Sequence, residues 1–105
     1  MRAYRFHPAA ERELDDAVAY LEAARLSAAR KFQASIRSAL ERIRDMPLMY
    51  GKVEGTECRE CLLLKYSYSI IYAVRKTELV VVAVAHAKRQ PGYWVDRLTT
   101  LENGE

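Results

Sequence analysis

Residues 8–47 read PAAERELDDAVAYLEAARLSAARKFQASIRSALERIRDMP, and their apolar positions recur at the spacing of amphipathic helices. Proline is tolerated in the first helical turn, so Pro8 marks the beginning of the helical stretch. Pro47 marks its end, because a proline cannot continue a helix. The buried positions form two stripes, the first made of Ala10, Leu14, Ala17, Val18 and Leu21 and the second of Phe32, Ile36, Ala39, Leu40, Ile43 and Met46. This spacing predicts helix along both stripes.

The two stripes are nearly in phase, so periodicity alone would allow one helix from Pro8 to Met46. At 1.5 Å per residue this rod would be about 58 Å long, whereas a compact domain of this size has a radius of gyration of about 13 Å. Because the rod would leave most of its apolar face in water, we predict a break around Ala24 to Ser27, with Ser27 as the N-cap of the second helix. The stretch is then an αα-hairpin.

Strand patterns flank the helical stretch on both sides. Before it, residues 2–6 are predicted to form a short strand with Tyr4 and Phe6 on one face. After it, Gly51 and Gly55 indicate a loop over residues 47–57. Three strands are then predicted at residues 58–65, 68–75 and 78–86, the last two joined by a short turn, and a final helix at residues 93–101. We expect the tail at residues 102–105 to be frayed.

The strand at residues 78–86 is apolar on both faces from Leu79 to Ala85, which is typical of an interior strand in a sheet covered on both sides. A sheet that follows an αα-hairpin packs one face on that hairpin. We therefore predict a two-layer α+β fold, with the αα-hairpin packed on a mainly antiparallel sheet of about four strands, in the order β-α-α-β-β-β, plus a short C-terminal helix. A chain of 105 residues buries one core, so residues 1–105 are expected to form a single domain.

Composition and charge narrow the classes of protein. The longest apolar run, Leu79 to Ala85, is far shorter than the ~20 residues of a membrane span. The first residues lack the apolar stretch of a signal peptide, so we expect a cytoplasmic protein with no membrane association. Seventeen Lys and Arg against fourteen Asp and Glu give a net charge of +3, which favours an anionic partner without establishing one.

The sequence contains two cysteines, Cys58 and Cys61, which are too few for a disulfide scaffold and fit a reducing compartment. Residues three apart on a strand point to opposite faces, so these thiols would not converge on a metal ion. A structural zinc site needs about four ligands, and only His7 and His86 remain to complete one. We expect one thiol to pack in the core and the other to be exposed, with no metal and no cofactor.

Basic and aromatic residues cluster at the end of the last predicted strand, and no acidic residue interrupts them before Asp96. Lysine and arginine match phosphates, aromatic rings stack on bases, and histidine titrates near pH ~6.5. These groups suffice for metal-free RNA cleavage, which needs a base for the 2′-hydroxyl, cations for the phosphorane charge and an acid for the leaving oxygen. The alternative is structural, because strands commonly end in polar residues and Trp94 would cap the core. The cluster comprises His86, Lys88, Arg89, Tyr93 and Trp94, joined at the open sheet face by Arg59 and Lys65 if these project from the neighbouring strands.

Short motifs are spread over nearly the whole chain. It opens with Tyr4-x-Phe6-x-Pro8-x-Ala10-x-x-Glu13-Leu14 and continues with Phe32-x-x-x-Ile36 and Ile43-x-x-x-Pro47. Tyr68-x-Ile70-Ile71-Tyr72 follows, and Val84-Ala85-His86-x-x-Arg89-x-Pro91-x-Tyr93-Trp94 comes last. This ordered set resembles the RelE/ParE superfamily of bacterial type II toxins. The resemblance implies the same element order that the hydrophobic pattern predicts.

The resemblance also implies a function. Members are growth-inhibiting toxins, associated with plasmid stabilisation and held inactive in a hetero-oligomeric complex with a cognate antitoxin. ParE-like members bind DNA gyrase and block replication, whereas RelE-like members cleave mRNA on the ribosome. In a RelE-like mechanism His86 or Lys65 would be the base and Arg59 and Arg89 the phosphate clamps. The catalytic candidates are then Arg59, Lys65, His86, Arg89 and Tyr93.

Ser69 favours the ParE-like alternative, because RelE-like members commonly have an arginine at this place in the central strand and a serine supplies no cation. The modest net charge of +3 favours it as well. A RelE-like ribosome-dependent endoribonuclease is the alternative, and a binding module without toxicity is a third. Tyr20, Ala23 and Ala24, near the end of the first helix, are candidates for docking an antitoxin segment, although core packing explains them equally well.

Overall fold

The computed structural model describes residues 3–102 and confirms the predicted α+β fold and its order of elements. The predicted start of the first strand at Arg2, and the tail at residues 103–105, lie outside the described residues. The elements are β1 (Ala3–Phe6), α1 (Pro8–Ala24), α2 (Leu26–Asp45), β2 (Arg59–Leu63), β3 (Tyr68–Val74), β4 (Glu78–His86) and α3 (Arg97–Glu102).

A single residue, Arg25, separates α1 from α2, inside the predicted range of the break. Its backbone is extended, with φ −167° and ψ 122°, and its N–H donates to the carbonyl oxygen of Leu21 over 2.7 Å. The Arg25 carbonyl then accepts from the N–H groups of Ala28 and Ala29, which begins α2. The prediction of Ser27 as N-cap is wrong, because Arg25 occupies the N-cap position and Ser27 lies within α2.

The four strands form one sheet in the order β1-β4-β3-β2. β1 runs parallel to β4, and the other neighbours are antiparallel. β1 is much shorter than β4, and its last residue, Phe6, pairs with Val81. One further backbone bond, from the His7 N–H to the Val81 carbonyl over 2.9 Å, ends this pairing. The second half of β4 therefore has no strand partner on that edge among residues 3–102.

The sheet is covered on both faces, as predicted for β4. One core lies between the helices and the sheet and contains Phe32, Ile36 and Tyr72; we call it the helix-facing core. The other lies under the C-terminal segment, where Trp94 is only 3% exposed, and we call it the opposite core. Trp94 therefore caps the core, as the structural alternative proposed.

Both cysteines are fully buried, so the expectation that one thiol is exposed is wrong. Cys61 belongs to the helix-facing core and Cys58 to the opposite core, which confirms that they point to opposite sides. Cys58 is covered because residues 91–101 pack over the second face of the sheet. Burial raises the pKa of the Cys58 thiol to about 11.

A β-bulge in the pairing of β3 with β4 decides which face the end of β4 presents. The register shifts by one residue in the middle of the two strands. As a result, neighbouring residues Val82 and Ala83 both lie in the opposite core, whereas strict alternation would put them on different faces. The bulge reverses the alternation beyond it. His86 therefore pairs with Tyr68, whose ring packs against the helix-facing core.

The predicted boundaries differ from the structure most at the end of β2 and at the start of α3. β2 ends at Leu63 rather than residue 65, because residues 64–67 form a turn closed by the Tyr66 N–H and the Leu63 carbonyl. α3 begins at Arg97 rather than residue 93, since residues 91–96 form successive turns. Gly92 has φ +76° there, a conformation that favours glycine. Among residues 3–102, no helix combines the length and the apolar character needed to span a membrane.

Candidate functional site

A polar group with several hydrogen bonds lies at the open edge of β4. Beyond the end of β1, the Glu13 side chain from α1 reaches the edge of β4. Its Oε1 accepts a hydrogen bond from the Val84 N–H over 3.1 Å. The Arg97 guanidinium donates to the Val82 carbonyl over 3.0 Å. Together these two side chains bond the backbone groups that a longer β1 would have paired.

The Glu13 carboxylate also binds two side chains of the C-terminal segment. Arg97 binds it with both terminal nitrogens, over 2.8 and 3.0 Å, and the Tyr93 hydroxyl donates to Oε2 over 2.6 Å. Only 15% of the Glu13 side chain is exposed. Burial opposes ionisation, but the hydrogen bonds from Arg97, Tyr93 and Val84 outweigh it, so the pKa of Glu13 is lowered. We call this arrangement the Glu13 network.

Tyr93 is held in this network by its hydrogen bond to Glu13. Burial, together with its hydrogen bond to the Glu13 carboxylate, raises the pKa of the Tyr93 phenol well above its ordinary value. The Arg89 guanidinium lies over the Tyr93 ring, 3.9 Å from its centroid, and 3.9 Å from Glu13 Oε2. The Arg89 side chain remains 54% exposed, so it presents its charge to solvent.

His86 lies next to this pair, at the end of β4. Its Nδ1 accepts a hydrogen bond from the Lys88 N–H over 3.0 Å, and its carbonyl accepts one from the Arg89 N–H. Its ring meets the Tyr68 ring edge-on, with 4.9 Å between centroids. In the neutral imidazole, an accepting Nδ1 leaves the proton on Nε2. In that tautomer Nε2 is available to donate a hydrogen bond.

Two concave surfaces meet at His86, and Arg89 lines the first of them. The first, which we call the open-face cleft, has a volume of about 250 Å³ and lies on the side of the opposite core. The second lies on the helix side, between the second half of α1 and the β2–β3 turn, and measures about 520 Å³; we call it the tyrosine groove. The open-face cleft is lined by Ser69, His86, Arg89, Tyr93 and Trp94, and the tyrosine groove by Tyr20, Lys65, Tyr66, Tyr68, His86 and Lys88.

Arg59 does not join either surface. Its guanidinium donates to the carbonyl oxygens of Leu48 and Tyr50, over 3.3 and 2.7 Å, and so fastens the loop that follows α2. The β3 partners of Arg59 and His86 are Tyr72 and Tyr68, four residues apart. This spacing corresponds to about 13 Å along the strand.

The five candidate residues are therefore divided by the fold. His86, Arg89 and Tyr93 come together around the open-face cleft, and Lys65 joins His86 only on the other side, in the tyrosine groove. Among residues 3–102, no group of three or more His, Cys, Asp or Glu side chains is placed to hold a metal ion.

Residues 4–91 match the family described as the ParE toxin of type II toxin–antitoxin systems, parDE. The chain belongs to this family. A search among curated proteins gave no significant match. The match confirms the resemblance to RelE/ParE toxins, and membership of a type II system implies a cognate antitoxin as partner. Glu13, His86 and Arg89 of the toxin lie within the matched residues, whereas Tyr93 and Arg97 lie beyond them.

Sequence reasoning did not identify Glu13 as the centre of the site. A signal was present, because Ala10, Glu13, Leu14 and Ala17 follow the i, i+3, i+4, i+7 spacing of a core-facing stripe. A carboxylate at such a position is buried and needs partners. Arg97 carried no comparable signal, since its role depends on how residues 91–96 turn.

The arrangement limits the chemistry that the toxin can perform with these groups. The Tyr93 phenol is committed as a donor to Glu13, and His86 accepts at Nδ1. Arg89 supplies an exposed cation, and Ser69, which is buried, supplies none. Among these groups, Arg89 is thus the one that offers an exposed charge to a bound partner.

Proposed function

We propose that the toxin inhibits growth by binding DNA gyrase and poisoning it, as ParE-like toxins do. The observation that carries this proposal is the Glu13 network. It turns Tyr93 and Arg97 into structural donors that close the sheet edge, and it partly neutralises Arg89. Arg59, bonded to two backbone carbonyls, is likewise committed to the fold. These residues support a rigid protein-binding surface.

Purified gyrase and supercoiled plasmid test the proposal directly. Adding toxin with ATP is expected to trap cleaved DNA, seen as linear plasmid after detergent and protease treatment. In cells, thymidine incorporation should fall before methionine incorporation after induction. The Tyr93→Phe variant is an informative companion, because it lacks the phenolic proton donor and should still trap cleaved DNA. Normal gyrase turnover at saturating toxin would refute the proposal.

A second candidate function, ribosome-dependent cleavage of mRNA, is favoured by one observation. Arg89 and His86 lie side by side in the open-face cleft, and Arg89 is largely exposed. In this case His86→Ala and Arg89→Ala should abolish toxicity while antitoxin binding persists. Programmed ribosomes incubated with toxin would show cleaved mRNA, and intact mRNA with both variants fully toxic would exclude this mechanism. A gene whose induction causes no growth defect would instead indicate a binding module.

We also propose that the toxin is held in a cytoplasmic hetero-oligomer by its antitoxin, with an antitoxin segment on the outer strand β2. Beyond the bridge between Lys52 and Arg59, the outer edge of β2 has no strand partner among residues 3–102. Leu64 is 91% exposed beside it, and Leu62 is also exposed. An extended segment that adds a strand there would cover both side chains.

Co-expression with the product of an adjacent gene tests this arrangement. The Leu62→Lys, Leu64→Lys double variant should weaken co-purification, because two charges replace the apolar contacts. Leu48→Lys is the matched control, since Leu48 is similarly exposed but lies in the loop after α2. Equal co-purification of both variants would place the antitoxin elsewhere, and a stable toxin that never binds a neighbouring product would contradict the complex.

A further inference from the structure

The tyrosine groove lies outside the open-face cleft and holds rings and charges that the proposed function does not use. Tyr20 projects from α1 with 77% of its surface exposed. Tyr68, on the floor, faces Tyr20, and burial followed by the nearby groups of Glu13, Tyr20 and Asp16 raises the pKa of Tyr68. Phe32 supports this floor, with its ring 5.3 Å from that of Tyr68. The groove thus has a partly buried aromatic floor and a largely exposed tyrosine ring in its wall.

Cationic side chains surround these rings. Lys65 and Lys88 line the groove, and Arg89 lines the adjoining hollow that shares Tyr20, Tyr68 and His86 with it. Two carboxylates face the same hollow, but that of Glu13 is neutralised by Arg97, so Asp16 is the acid that remains. The groove therefore combines exposed aromatic faces with an excess of positive charge.

We propose that the tyrosine groove binds single-stranded nucleic acid, with an unpaired base stacked on Tyr20 and the flanking phosphates held by the cations on the rim. Aromatic rings stack on bases through their flat faces, and lysine and arginine bind phosphates whatever the base sequence. His86, whose Nε2 carries the proton in this tautomer, is placed to donate to a base or a phosphate.

The composition of the groove favours this occupant over a protein helix. A helix docked by its apolar face needs a hydrophobic groove, whereas the walls here are mostly tyrosine hydroxyphenyl groups and cations, with Ala17 and Leu21 as the aliphatic contribution. A duplex fits less well, because its base faces are already stacked. The inference goes beyond the proposed function and does not require gyrase.

Fluorescence anisotropy with short, labelled single-stranded DNA and RNA oligonucleotides of mixed sequence tests the groove. Tyr20→Ala is expected to weaken binding at least about fivefold, and Tyr20→Phe to retain it, because stacking needs the ring and not the hydroxyl. Three phosphate contacts predict a slope of about −2 for the logarithm of affinity against that of salt concentration. Lys88→Gln should reduce this slope by about 0.7.

Arg37→Gln is the matched control for lost charge, because Arg37 is exposed on α2 and lines neither the groove nor the cleft. It should leave affinity unchanged. Tyr20 is so exposed that its replacement leaves the core intact, which circular dichroism checks. Absence of binding, or equal binding by wild type and Tyr20→Ala, would overturn the proposal. So would duplex binding as tight as single-strand binding, since that indicates charge without stacking.

An antitoxin is the rival occupant of the same groove. If Tyr20→Ala weakens co-purification with the antitoxin while wild-type toxin shows no affinity for oligonucleotides, the groove belongs to the antitoxin and the proposal fails. The anisotropy assay contains no gyrase, so its failure leaves the gyrase proposal standing. Conversely, a toxin without effect on gyrase that still binds oligonucleotides through Tyr20 would support the groove alone.

Discussion

Glu13 and Val84 lie 71 positions apart in the chain, and the carboxylate of one accepts a hydrogen bond from the backbone N–H of the other over 3.1 Å. A side chain from the first helix thus does what a neighbouring strand does elsewhere in the sheet. The same carboxylate binds Arg97 and Tyr93, so the end of β4 and the C-terminal segment share one anchor.

Removal of this anchor should cost the protein much of its stability. Glu13→Ala removes the carboxylate partner of the partly buried Arg97 guanidinium and the only side-chain acceptor of the Val84 N–H given by the structure, and we expect the free energy of unfolding to fall by about 3 kcal/mol. Urea unfolding followed by circular dichroism measures this change. Asp15→Ala, on the exposed side of α1, is the control and should change stability little. Similar losses of stability in both variants would show that the Glu13 network stabilises the protein no more than an exposed carboxylate does.

Acid should destabilise the protein in two steps. The pKa of His7 is lowered, chiefly by burial and then by the charges of Arg97, Arg12 and Arg5, so its stabilising effect is present above its ordinary pKa of 6.5 and lost as the pH falls below it. The pKa of Glu13 is also lowered, so its contribution is lost only as the pH falls below the ordinary 4.5.

The His7→Asn variant isolates the first step. His7 caps α1 by accepting the Ala9 N–H at Nδ1 over 3.0 Å, and asparagine is a good N-cap that does not titrate. The free energy of unfolding is measured as the pH is lowered from above 6.5 to below 4.5. In His7→Asn, the decline below pH 6.5 should disappear, whereas the decline below pH 4.5 should remain. A first decline of unchanged size in the variant would assign it to another group.

Tyr93→Phe separates a structural tyrosine from a catalytic one. The substitution removes the hydrogen bond to Glu13 but keeps the ring under Arg89, so we expect a loss of about 2 kcal/mol in stability with toxicity retained. Thermal unfolding and growth after induction are the two measurements. Full stability combined with lost toxicity would mean that the phenol acts in catalysis.

Arg59→Lys tests the role of the loop after α2. A lysine cannot reproduce both bonds to the Leu48 and Tyr50 carbonyls, so hydrogen exchange should become faster in residues 48–57 and stability should fall by about 1 kcal/mol. Toxicity per folded molecule should not change. Lys52→Arg provides a comparison in the same loop. If hydrogen exchange in residues 48–57 is unchanged while toxicity is lost, Arg59 acts as a phosphate clamp instead.

Periodicity was sufficient to predict the order of elements, the helical hairpin and the interior position of β4, because each depends on which face of an element is apolar. It could not locate the functional side chains so well. The length of β1 relative to β4 leaves an edge open, and a glutamate distant in sequence closes it. The sequence suggested that Arg59 is available to bind phosphate, because its actual acceptors are backbone carbonyls, which cannot be recognised from residue types. The buried state of Cys58 depended on the path of residues 91–101.

The bulge in β4 also has an evolutionary consequence. It is one extra residue, yet it decides for each residue beyond it, including His86, whether the side chain lies beside the helices or beneath the C-terminal turns. Loss or gain of a single codon in this strand would move each side chain beyond the bulge to the other face of the sheet. The apolar composition of the strand would remain almost the same. Related toxins could thus acquire a different recognition surface without rebuilding their interior.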